Sequence, residues 1–154
     1  MSPTTPGQPI DLEAARLALQ TDATIDIITT GARTGRSRTT EIWFTNVEGR
    51  IIITGTIRNG RNGPLLPRDW LANLTANPEF FFCFKESIAM SAAALAHPVN
   101  DPADRRSLMT ARATQWYRDQ GDTLEELVAD APIVEVEFTG DFVGLNQRRE
   151  GAAW

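Results

Sequence analysis

The 154-residue sequence predicts one α+β domain in which about six mostly antiparallel strands curl into a small closed or partly closed barrel, with three or four helices beside it. Short β-branched and aromatic runs alternate in polarity, and several are joined by glycine-bearing turns too short for a helical crossover. Helical stretches enter at two places rather than after every strand, which argues against a doubly wound parallel sheet. Closure then removes the sheet edges that six short strands would otherwise expose.

Residues 1–10 read as a flexible arm, because Pro3, Pro6 and Pro9 lie among glycine, serine and threonine with nothing apolar to anchor them. The folded unit is expected over residues 11–144, with a loosely held tail over residues 145–154. Asp11–Gln20 carries Leu12, Ala15, Leu17 and Leu19 in a helix-forming stretch with Asp11 as its cap. In Ala23–Thr30, Ile25 and Ile27 point one way and Asp26 the other, the period of a strand. Gly31 to Gly35 forms a tight turn. Arg38–Val47 reads as one strand, and Glu48-Gly49 turns into Arg50–Thr56, so three consecutive strands form a meander.

Asn59–Pro67 is a loop. Pro67–Ala76 is a short helix, with Pro67 in its first turn, Trp70, Leu71 and Leu74 on one face, and Asn77-Pro78 as its stop. Glu79–Lys85 and Ile88–His97 are strands around a break at Glu86-Ser87. Asp101-Pro102 opens a helix over Ala103–Arg118. Thr123–Ala129 adds further turns capped by Asp122 or Thr123, with Leu124, Leu127 and Val128 facing inward. Ile133–Val143 is the final strand.

The net charge of −5 is unevenly spread. From Arg33 to Arg68 there are seven arginines (Arg33, Arg36, Arg38, Arg50, Arg58, Arg61, Arg68) against Glu41 and Glu48, a local balance of +5, which leaves −10 on the rest of the chain. An acidic protein with one arginine-rich segment suits a small anionic ligand and opposes nucleic-acid binding. No run reaches the length of a membrane span, so stable membrane insertion is not expected; Ser87–Ala96 is the longest candidate. One cysteine, Cys83, excludes an internal disulfide and fits a reducing compartment, here read as the cytoplasm. One histidine, His97, and one cysteine provide no metal-binding spacing. His97 reads as a structural or surface residue, and Cys83, inside Phe80–Phe84, as core. With no nucleophile elbow, P-loop or dinucleotide fingerprint, chemistry in this chain would have to come from a bound cofactor.

The informative stretch is Thr29-Thr30-Gly31-Ala32-Arg33-Thr34-Gly35-Arg36-Ser37-Arg38. It places glycine-freed N–H groups, hydroxyls and three guanidinium groups on one hairpin, the parts of an anion cradle. This stretch resembles the Thr-x-Gly-Arg-Lys-Thr/Ser-Gly-x-x-Arg motif of the deazaflavin-dependent nitroreductases and quinone reductases. The likeness continues through Ile51–Thr56, Pro67–Pro78, Asp101–Arg106 and Ala131–Val134, and so spans Ile25 to Phe138.

The resemblance implies a split β-barrel of the FMN-binding type and the cofactor coenzyme F420, an 8-hydroxy-5-deazaflavin with a phosphate and a glutamate tail. It implies hydride transfer to a quinone, activated alkene or nitroaromatic. By the same resemblance Arg33, Thr34, Gly35, Arg36 and Arg38 hold the charged end of the cofactor. Thr54, Gly55 and Thr56 approach the ring, Ile42 and Trp43 line it, Arg58 adds a basic group, and Trp70 and Asn73 shape the wall. Two departures stand out. Ala32 occupies a position that is basic in the family, and Tyr117, a candidate proton donor, stands where some relatives carry several tyrosines. An FMN enzyme on the same barrel, or a protein that binds deazaflavin without catalysis, meets the same charge pattern. Split barrels often pair, so a homodimer is expected.

Overall fold

The computed structural model describes residues 10–59, 63–66, 68–147 and 154. The N-terminal arm to Pro9, Gly60, Arg61, Pro67 as a helical first turn, and the tail from Arg148 to residue 153 lie outside the described residues. Seven strands form one sheet: β1 (Thr24–Thr30), β2 (Ser37–Trp43), β3 (Thr45–Val47), β4 (Arg50–Thr54), β5 (Glu79–Phe84), β6 (Met90–Pro98) and β7 (Ile133–Phe138). Their order is β2-β1-β5-β6-β7-β4-β3, and every pairing is antiparallel.

The expected single strand over Arg38–Val47 is therefore two strands at opposite edges of the sheet, and the expected three-strand meander does not form. Only Phe44 separates them. Its N–H donates to the Ala23 carbonyl at 2.9 Å, and its buried ring meets Phe82 edge to face at 5.3 Å. The chain thus leaves one edge and enters the other in one step. The sheet curls to permit this, bringing Cα atoms of β2 and β4 within 8 Å.

Alternation decides what lies inside the curl. Ile25 and Ile27 of β1, Phe80, Phe82 and Phe84 of β5, Ala92, Ala94 and Ala96 of β6, and Val134, Val136 and Phe138 of β7 are buried in one cluster. Small alanines on β6 face bulky phenylalanines on β5, in the register Phe80↔Ala94 and Phe82↔Ala92, so the layers interdigitate. Two helices close this interior: α1 (Leu12–Thr21) inserts Ala15, Ala18 and Leu19, and α2 (Asp69–Ala76) inserts Trp70 and Leu74. Asp11 caps α1 by accepting the Ala14 N–H at 2.9 Å.

A second core lies on the outer face of β3 and β4. There Val47 and Ile52, with Ile133 of β7, meet Leu108, Met109, Tyr117 and Leu127 from α3 (Pro102–Thr110), α4 (Gln115–Arg118) and α5 (Leu124–Asp130). Arg50 clamps this layer to the sheet. Its guanidinium is bidentate to Asp104 at 2.7 and 2.9 Å and reaches the buried Glu135 at 2.8 Å, and these bonds raise its pKa further. Thr123 caps α5 in a reciprocal box with Glu126.

Two expected elements are shorter than their patterns suggest. The helix from Ala103 stops at Thr110 because Ala111 turns extended (ψ 153°), and a 3₁₀ turn over Arg112–Thr114 precedes α4. The buried Thr114 hydroxyl and the Arg118 guanidinium take up the carbonyls freed at the break, Leu108 at 2.7 Å and Met109 at 2.5 Å. The final strand ends at Phe138, where the Asn146 amide pairs with both backbone groups of Phe138 at 2.8 and 2.9 Å and takes the place of a further ladder partner. No described helix is long and apolar enough to cross a membrane.

Phe82 is fully buried and contacts three aromatic rings, Phe44, Phe84 and Phe138, at 5.1–5.3 Å. Phe82→Ala is expected to cost about 3–5 kcal/mol, read as a lowered urea midpoint with an unchanged m-value. A loss under 1 kcal/mol would mean that the ring is not a centre of the interior.

Candidate functional site: an arginine-bearing groove

The turn between β1 and β2 is built by its own backbone. The Gly31 N–H donates to the Arg36 carbonyl at 2.7 Å, the Gly35 N–H to the Gly31 carbonyl at 2.9 Å, and the Arg36 N–H to the Thr34 hydroxyl at 3.2 Å. Gly35 sits at φ +68°, a left-handed conformation that a side chain would strain. α2 pins the turn from the side. Asn73 accepts the Ala32 N–H on Oδ1 at 2.9 Å and approaches the Thr29 hydroxyl at 3.5 Å, while Asn77 donates to the Thr30 carbonyl at 3.3 Å.

Between this hairpin and α2 runs a groove of about 450 Å³, with Arg33, Thr34, Arg38, Asp69, Trp70 and Asn73 among its walls. Three β2 residues line it, Arg38, Thr39 and Thr40. Arg38 opposes Thr29 and Thr40 opposes Ile27, so both share the inward face of β1. Among the described residues the guanidinium groups of Arg33, Arg36 and Arg38 have no hydrogen-bond or ion-pair partner, and the N–H groups of Arg33 and Thr34 are likewise unpaired. Asp69 opens α2 and Asn73 lies one turn further on, about 6 Å along the axis. The groove is therefore cationic at the hairpin end and acidic at the start of α2.

The structure divides the residues singled out from sequence. Arg33, Thr34, Arg38, Trp70 and Asn73 come together in the groove, and Gly35 and Arg36 lie on the same turn. The others do not line it. The Thr54 hydroxyl is buried and donates to the Pro132 carbonyl at 2.6 Å. Gly55 leaves room for Arg68, whose Nη2 would stand 3.0 Å from a Cβ there, and the Thr56 carbonyl accepts from that guanidinium. Arg58 is held by Asp122 at 3.1 Å and Glu126 at 3.2 Å. Ile42 packs on the interior cluster, and Trp43 points away from it, edge to face with Trp116 at 5.2 Å.

Tyr117 lies in the second core, 5% exposed. Burial raises its phenol pKa, opposed by a hydrogen bond with Thr45 and by the charge of Arg68. Burial in turn lowers the basicity of Arg68, and the Tyr117 phenolate would oppose that. Cys83 is fully buried, and its thiol pKa is pushed up by that burial. His97 is bonded to Glu137 at 2.7 Å and stacked on Trp154 at 5.1 Å, a structural arrangement. Sequence reasoning missed Thr40, Asp69 and Arg68. Thr40 was recoverable from its two-residue spacing to Arg38, and Asp69 from its four-residue spacing to Asn73; Arg68 needed the fold.

The sequence model of the F420H(2)-dependent quinone reductase family matches residues 14–135, a span that takes in the hairpin, the groove and α3 to α5. The chain belongs to this family. Solved structures of like fold include a conserved hypothetical protein of Mycobacterium tuberculosis, with a TM-score of 0.58 and 13% identity over 99% of each chain. A protein described as an F420 reductase aligns with a TM-score of 0.51 and 16% identity over 81% of this chain and 93% of its own. The heme storage protein of Vibrio cholerae aligns with a TM-score of 0.51 and 17% identity over 85% and 92%. At these identities they establish the fold, a split β-barrel, here with seven strands. No curated protein sequence matches the chain.

Asn73→Ala removes the bond between α2 and the turn. It is expected to cost about 1 kcal/mol and to speed amide exchange at Ala32 while exchange in β5 is unchanged. Unaltered exchange at Ala32 would show that the turn does not depend on α2.

Proposed function

We propose that the chain is a coenzyme F420-dependent reductase that passes a hydride from reduced deazaflavin to a quinone, activated alkene or nitroaromatic. The observation that carries this reading is the set of unpaired guanidinium groups facing a groove of about 450 Å³ in a member of a deazaflavin-dependent family.

The residues present fit such a cofactor. Arg33 and Arg38 offer guanidinium forks to phosphate or carboxylate oxygens, the free N–H groups of Arg33 and Thr34 add neutral donors, and Arg36 extends the positive charge along the turn. Trp70 gives a flat apolar wall, and Asn73 holds turn and wall in register. Asp69 repels an anion at the far end, so a ligand charged at one end binds in one direction. When bound, the reduced deazaflavin supplies the hydride.

The chain's own residues then bind, orient and exclude water, which needs no acid–base pair. Thr54, Gly55, Thr56 and Arg58 act from behind the groove by anchoring Arg68, Pro132 and α5. Tyr117 packs in the second core in this scheme, where burial keeps its phenol neutral, and water provides the proton of the product.

Titration of the protein with F420 and, in parallel, FMN tests the ligand. Arg33→Ala and Arg38→Ala are each expected to weaken F420 binding roughly ten- to a hundredfold, the worth of one charge-assisted hydrogen bond. Reduced F420 should be oxidised in the presence of menadione. Tighter binding of FMN overturns the cofactor assignment, and tight F420 binding without turnover across quinones and nitroaromatics leaves a carrier instead of an enzyme.

A further inference from the structure

A second cleft, of about 290 Å³, opens at the C-terminal end of β2. Leu19 and Phe44 are its buried floor, and Trp43 and Trp116 meet edge to face at 5.2 Å to form an aromatic corner. The two indoles are nonetheless 50% and 46% exposed. Apolar exposure continues along α1. Glu13, Leu17 and Gln20, three or four residues apart, share its solvent face; Leu17 is 60% exposed, and Gln20 lines the cleft. A strip of this kind on an otherwise polar surface marks a binding face.

The strip is electrically quiet. No arginine or lysine is among the described lining residues, and Asp22 accepts from the Ser87 N–H at 3.2 Å, the Ser87 hydroxyl at 2.8 Å and the Thr21 hydroxyl at 3.1 Å. The Asn46 amide donates to the Leu19 carbonyl at 3.1 Å and accepts the Gly49 N–H at 2.8 Å. Gln20 keeps its side-chain amide unpaired among the described residues.

The chain carries one segment of matching chemistry. Residues 1–9 have no charged side chain, and Pro3, Pro6 and Pro9 are spaced by three. Three residues make one turn of a polyproline helix, so in that conformation the proline rings form a single row. Aromatic grooves read such rows, because the stiff segment loses little entropy on binding and its carbonyls are unpaired. An aromatic corner beside a free amide is that arrangement. The guanidinium groups of the arginine groove, by contrast, find no charge on this segment.

Length agrees as well. The segment joins the fold at Ile10, which packs on the interior cluster, and Asp11 caps α1. Leu17 lies about 8 Å and Gln20 about 12 Å along the helix axis from Leu12. Extended back along α1, the segment places Pro6 about 9 Å and Pro3 about 19 Å from Pro9. Pro6 then reaches Leu17, and Pro3 passes Gln20 into the aromatic corner.

We infer that residues 2–9 fold back over the solvent face of α1 and dock in the cleft of their own chain, with Pro6 on Leu17, Pro3 against Trp43 and Trp116, and the Gln20 amide on a backbone carbonyl of the segment. Docking covers the exposed apolar strip and leaves the arginine groove open. None of this depends on the reductase reading.

A nitroxide attached through Ser2→Cys tests this, since the native Cys83 thiol is fully buried and inert to the reagent. In the isotope-labelled full chain, the indole N–H signals of Trp43 and Trp116 are lost to paramagnetic broadening and return when the nitroxide is reduced. Pro3→Ser combined with Pro6→Ser, both outside the packed domain, leaves the thermal melt unchanged and restores the two signals. Trp116→Ala, at a half-exposed position, restores that of Trp43. Broadening that persists in the proline variant overturns the inference, because a segment that only sweeps the surface would cause it. Absence of broadening with the prolines intact overturns it too. Broadening in isotope-labelled chains without nitroxide, mixed with nitroxide-bearing chains of natural isotope content, also overturns it by making a second copy of the chain the source of the docked segment.

Discussion

Phe44 is the one residue between β2 and β3, strands at opposite edges of the sheet, so the chain can pass between them only if the sheet curls until its edges approach. Curling turns one face of every strand toward a common interior. The phenylalanines of β5, the alanines of β6 and the ring of Phe44 itself then share one core. It also reduces the unpaired edge that a seven-stranded sheet of this size would present. The cost of ordering a strand that changes edge is met by burial around Phe82, which touches three rings. Because β2 is held at its C-terminal end by this crossover and at its start by the turn from β1, its inward residues near the turn meet α2 across an open groove.

The arginines of the basic segment divide by what they touch. Arg50 ties α3 to β4 and β7 through Asp104 and Glu135, Arg58 ties the loop after β4 to α5, and Arg68 lies against Gly55 and donates to Thr56. Arg105 does the same work with neutral partners, donating to the carbonyls of Val99, Val128 and Ala131. A guanidinium with five donors is suited to such multiple anchoring, and leaving one partner unmatched in a half-buried site would be costly. Arg33, Arg36 and Arg38 stand apart. They sit on the turn and at the start of β2 with no side-chain partner among the described residues, and charge that is not neutralised remains available to a ligand.

The side chains of β2 alternate between two environments. One face carries Arg38 and Thr40 into a polar groove, and the other ends in Trp43 beside an apolar cleft. Arg68 and Tyr117 each shift the other's proton affinity, against the larger effect of burial on both, so α4 outside the barrel is coupled electrostatically to the residue that leads into α2.

The hairpin turns, the helix cap at Asp11, the α5 cap down to Asp122 or Thr123, and the tight turn at Gly31 to Gly35 were legible in the sequence, because each depends on neighbours within a few residues. Local periodicity cannot report which edge a strand joins. For that reason Arg38–Val47 reads as one strand, and its division at Phe44 was decided by sheet closure. The break at Ala111 and the end of the last strand at Phe138 were likewise set by distant or non-repeating partners, Arg118 and Asn146. Which arginines are free was tertiary information as well. Composition counts Arg33 and Arg58 alike, but a carboxylate brought from α5 by folding occupies one and leaves the other open.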